Sequence, residues 1–95
     1  MATREEYIDR FYAQLKEWNA EIARLEEKAR GAREDMRAEY ERQIDEARKR
    51  QREAEEQLQK LHDASEGAWE EMRAGAERAW SELDRAMKTA WEKFR

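Results

Sequence analysis

The chain has 95 residues, 46% of them charged, with no proline, no cysteine and three glycines. A formal net charge of −4 argues against a dedicated nucleic-acid binder, which would be basic. The missing cysteines exclude disulfides, thiol chemistry and Cys-based zinc sites. No apolar run approaches a signal-peptide core or a membrane span, so a cytoplasmic location is expected.

Ala, Glu, Arg, Lys and Leu dominate the composition. They are the residues that lose least side-chain freedom in a helix. Valine is absent and isoleucine is scarce, which leaves little from which to build strands. The expected class is all-α, and burial must come from helix against helix.

The first helix has a start signal. Thr3 followed by Glu6 has capping-box spacing, and Glu5 and Glu6 fall at the positive end of the helix dipole. From there Ile8, Phe11, Leu15, Trp18, Ile22, Leu25, Ala29, Ala32 and Met36 follow in strict steps of three and four. That is a heptad seam of the left-handed coiled-coil kind. Two steps of four then lead through Tyr40 to Ile44, a stutter that unwinds a supercoil locally. Ala47, Gln51, Ala54, Leu58 and Leu61 resume the seam. Gln51 is its one polar member, expected to cost stability while fixing register.

The stretch His62-Asp63-Ala64-Ser65-Glu66-Gly67 offers two capping candidates, Asp63 and Ser65, and a glycine. It predicts a turn over 63–67. Gly31 is the weaker candidate for a break, because its neighbours cap nothing and the heptad runs through it. The reading is a long helix over 3–62 and a second over 68–95, roughly 90 Å and 45 Å at 1.5 Å per residue. The pair would form a helical hairpin that self-associates. The alternative is a three-helix bundle broken at Gly31 as well.

The last third repeats every eleven residues: Ala68-Trp69, Ala79-Trp80 and Ala90-Trp91, with Met72, Leu83 and Phe94 at the same interval, and Ala76 with Met87. Eleven residues make three turns at 3.67 per turn, so this stripe runs nearly straight along its helix.

Chemistry finds little purchase. Arg48 to Arg52 is the one basic run, but Asp45–Lys49, Glu46–Arg50 and Glu56–Lys60 are acid-before-base pairs at i,i+4, which suit a solvated face. Nucleic acid is therefore not an expected partner. His62 with Glu66 has metal-ligand spacing, but one imidazole with carboxylates makes a poor site. No Gly-rich loop, nucleophile elbow or His-Glu-x-x-His occurs. The expectation is a non-enzyme with no catalytic, metal or cofactor residues. Its working surface would be the seam itself: Ile8, Phe11, Leu15, Trp18, Ile22, Leu25, Met36, Tyr40, Ile44, Leu58, Leu61, Trp69, Met72, Trp80, Leu83, Met87, Trp91 and Phe94. The partner would be a second copy or another helical protein. The Trp-rich helix over 68–94 makes a membrane surface the alternative partner, although its balanced charge lacks the basic excess that anionic lipid attracts.

The opening MATREEYIDRFYAQLKEWNAEIARLEEKA and the tail AWEEMRAGAERAWSELDRAMKTAW resemble a family of small bacterial coiled-coil stress-response proteins. The resemblance implies a bacterial, soluble, helical protein and little mechanism, and carries over no catalytic residue.

Overall fold

A computed structural model describes residues 3–94. Among them are three helices and no strand: α1 (Arg4–Arg30), α2 (Glu34–Asp63) and α3 (Trp69–Lys93). The molecule measures 51 × 18 × 17 Å. That is about the length of the 30-residue α2 at 1.5 Å per residue, so the helices lie alongside one another. α2 runs antiparallel to both neighbours. α3 packs on it more extensively than α1 does.

α1 begins as its sequence prescribes, with the Thr3 Oγ1 accepting from the Glu6 N–H at 3.1 Å. The continuous helix expected over 3–62 is not formed. It breaks at Gly31, Ala32 and Arg33. Straight, it would leave the seams of its two halves in water; folded, they bury each other, and tertiary burial outweighs local propensity. The expected corner is present. α2 ends at Asp63, and Ala64 is extended at φ −68°, ψ 140°. Neither Asp63 nor Ser65 caps the next helix, however. The N-cap of α3 is Ala68, with no side-chain hydrogen bond. The Ser65 carbonyl instead accepts from the Ala68 N–H at 3.1 Å. α3 covers the eleven-residue repeat, and position 95 of the expected second helix lies outside the described residues.

One core results. Ile22, Leu25, Leu58, Leu61 and Leu83 are its largest fully enclosed side chains. Small residues line much of α2 and α3: Ala47, Ala54, Ala76, Ala79 and Ala90 are all buried, so these two backbones approach closely. At Gly75 an added Cβ would lie 2.8 Å from the Gln57 side-chain oxygen, which shows how near the two helices run there.

Candidate interaction surface

The structure distributes the predicted seam in three ways. Ile8, Leu15, Trp18, Ile22, Leu25, Ile44, Leu58, Leu61, Leu83, Met87 and Phe94 are buried within the chain. Phe11, Tyr40, Trp69, Met72, Trp80 and Trp91 are partly buried against the same core. Met36 departs from the expected pattern. It is 40% exposed, because the chain turns just before it and carries it off the seam that leads to Ala29.

The aromatic residues join α1 to α3. Phe11 meets Trp80 edge-on with centroids 4.3 Å apart, and Trp18 lies 5.0 Å from the same indole. Tyr7 lies 6.0 Å from Trp69. Arg4 stands over Trp69 and Lys28 over Trp91, so cations cap both outer indoles. The alanines preceding the second and third indoles, Ala79 and Ala90, are buried. The eleven-residue repeat thus turns its indoles toward α1, while Ala79 lies toward α2.

Polar groups fix the pairing of α1 with α2. Gln51 is 7% exposed and fully engaged. Its amide nitrogen donates to the Asn19 oxygen at 3.3 Å, and its own oxygen accepts from Arg48 at 2.9 Å. The same guanidinium donates to Asn19 at 2.8 Å and to Glu26 at 3.0 Å. A buried amide left unpaired would cost on the order of 1–3 kcal/mol; here each hydrogen bond crosses to α1 or supports one that does. Asn19, Glu26 and Arg48 were not among the seam candidates. The signal was the polar Gln51, which demanded partners of this kind at its level. Of the three i,i+4 pairs expected on α2, Glu46–Arg50 is formed at 2.9 Å. Arg50 also reaches Glu53 and, on α3, Glu82, both at 3.0 Å. Glu53 and then Glu46 raise its guanidinium further above the usual range. His62 pairs with the adjacent Asp63 at 3.1 Å, not with Glu66. No group of three metal-capable side chains occurs among the described residues.

Tyr7 on α1 has its hydroxyl held by a carboxylate of α3. Its O–H donates to Glu77 at 2.5 Å. Burial, and then the Glu77 hydrogen bond, push its pKa from 10.0 up to about 12. A phenol held protonated in the fold stabilises it fully below its unfolded pKa, and that contribution is lost as pH rises through the folded value. In an absorbance titration Tyr7 is therefore expected to ionise near 12, in step with any alkaline loss of helix. Tyr7→Phe should remove that late component. If Tyr7→Phe leaves the late part of the titration unchanged while helicity is intact, the Tyr7–Glu77 contact is absent in solution.

The concave features between helices are open grooves. One of about 510 Å³ lies where α1 ends against α2, lined by Ala29, Arg30, Arg37, Glu41, Ile44 and Arg48, among others. Among the described residues no helix is long and apolar enough to cross a membrane. Comparisons with protein families, characterised proteins and solved structures found nothing that matches this chain.

Proposed function

We propose that the chain is a non-enzymatic helical scaffold, a three-helix bundle as a single copy, whose role is to associate with further copies. One observation carries this reading. Among the described residues the large apolar side chains converge on one core, and the ion pairs Arg48–Glu26 and Arg50–Glu82 join neighbouring helices, so the folded chain offers helical faces and open grooves. Clustered charges with partners on neighbouring helices, such as Arg48 with Glu26 and Arg50 with Glu82, support a structural role for the polar residues as well. A stress-related task is the extension suggested by the resemblance of the two ends of the chain. The membrane alternative requires Trp69 and Trp80 to leave Tyr7, Phe11 and Trp18, so it competes with the contacts that close α1 onto α3. Light scattering through the micromolar range tests the proposal. Mass rising above that of one chain with concentration is expected. A monomer throughout, or flotation with anionic vesicles accompanied by loss of the α1–α3 contacts, would overturn it.

A further inference from the structure

The turn between α1 and α2 lacks the chemistry that usually stops a helix. Gly31 sits at φ −88°, ψ 0°, close to helical values, and no residue there has positive φ. Arg33, the N-cap of α2, makes no side-chain capping bond. An added Cβ at Gly31 would meet only the Lys28 carbonyl, at 3.8 Å. Short hinges of this kind invite exchange of an element between copies.

The register says what the hinge leaves uncovered. Asn19 pairs with Gln51 and Arg48, and Glu26 with Arg48, so α1 and α2 are matched about a point near residue 35. The turn lies earlier, at 31–33. The first two turns of α2 therefore overhang the end of α1, and residues 33–38 are all exposed, Met36 among them.

We propose that two copies exchange α1 through this hinge, and that the occupant of the overhang is the same segment of the second copy. Residues 4–63 then form one helix, antiparallel to its counterpart. Each α1 lies on the other copy's α2 and α3 with its present contacts unchanged. The phase permits it: Ile22 and Gln51, both buried on the α1–α2 contact, fall about 20° apart around a straight helix of 3.6 residues per turn. The register also places the two-fold axis close to Met36, so the exposed thioethers of the two copies come near one another. This exchange presupposes the self-association proposed above and names its interface.

The test is small-angle scattering with light scattering on the full chain, refolded at low and high concentration. Gly31→Ala suits both the closed turn, where φ is −88°, and a straight helix, so it should leave the dimer formed. Its dimer should exceed ~90 Å in length, that of a straight 60-residue helix. Arg33→Pro suits the closed turn, where φ is −62°, and opposes a straight helix; it should remain monomeric. Met36→Lys places like charges close to the axis and should weaken the dimer with the monomer's helicity unchanged. A compact dimer indifferent to Arg33→Pro and Met36→Lys would overturn the exchange and leave self-association standing. A monomer under every condition, Gly31→Ala included, would overturn both.

Discussion

Leu83→Ala is expected to destabilise the fold by about 3–5 kcal/mol, the upper range for a buried leucine that cannot be replaced by its neighbours. Leu83 is fully enclosed. The Arg50–Glu82 bridge sets it level with the stretch of α2 that contains Ala47, Gln51 and Ala54, all buried. Alanines have no side chain to swing into a void, and Gln51 is held by Asn19 and Arg48. The cavity should therefore persist, and cavity volume sets the cost. A domain of this size has roughly 5–14 kcal/mol in all, so the variant should melt at least ~12 °C lower. Thermal unfolding followed by circular dichroism at matched protein concentration measures this, since association would shift the midpoint. A loss below ~1 kcal/mol would mean that α2 and α3 are not packed this closely.

Trp80→Ala should come next, at about 3 kcal/mol, and well above Trp91→Ala, at about 1 kcal/mol. Trp80 is the indole that both Phe11 and Trp18 meet. Its removal strips two aromatic partners at once and opens α1 from α3 at mid-length. Trp91 is covered on one face by Lys28, at 5.3 Å, and lies in the last turn of α3, where helices fray. Chemical denaturation of both variants, read by far-ultraviolet dichroism, gives the comparison without relying on indole fluorescence. Equal losses would show that Trp80 does not hold the centre of the α1–α3 contact.

The helical class and most of the buried face were legible in the sequence. Steps of three and four from Ile8 to Leu25 mark the face α1 buries, and the eleven-residue interval marks that of α3. Thr3 announced its cap. The break at Gly31 was harder to read, for a physical reason. Helix ends are legible when local chemistry makes them, through a capping side chain, a proline or a glycine at positive φ. Here Arg33 caps nothing and Gly31 stays near helical dihedrals. What turns the chain is the burial of one half of the seam against the other, which no local window contains. Met36 stands apart with it: the unbroken spacing from Ala29 to Met36 assigns it to a seam that the turn interrupts within the single chain, where it is exposed. The Asn19–Arg48–Glu26 cluster was half legible. Gln51 signalled an interhelical polar contact, but only the register of α1 on α2 could say which residues answer it.

The order of the helices has a kinetic consequence. α1 meets α2, and α2 meets α3, across short turns, so little chain entropy is lost in closing either loop, and such local topologies fold fast. The contacts between α1 and α3 are of another kind. Tyr7 and Glu77, 70 positions apart, can meet only after both turns have formed. The indoles that bridge these two helices are thus placed to report the last event of folding, the docking of the outer pair, whereas the ellipticity of the backbone reports the earlier ones.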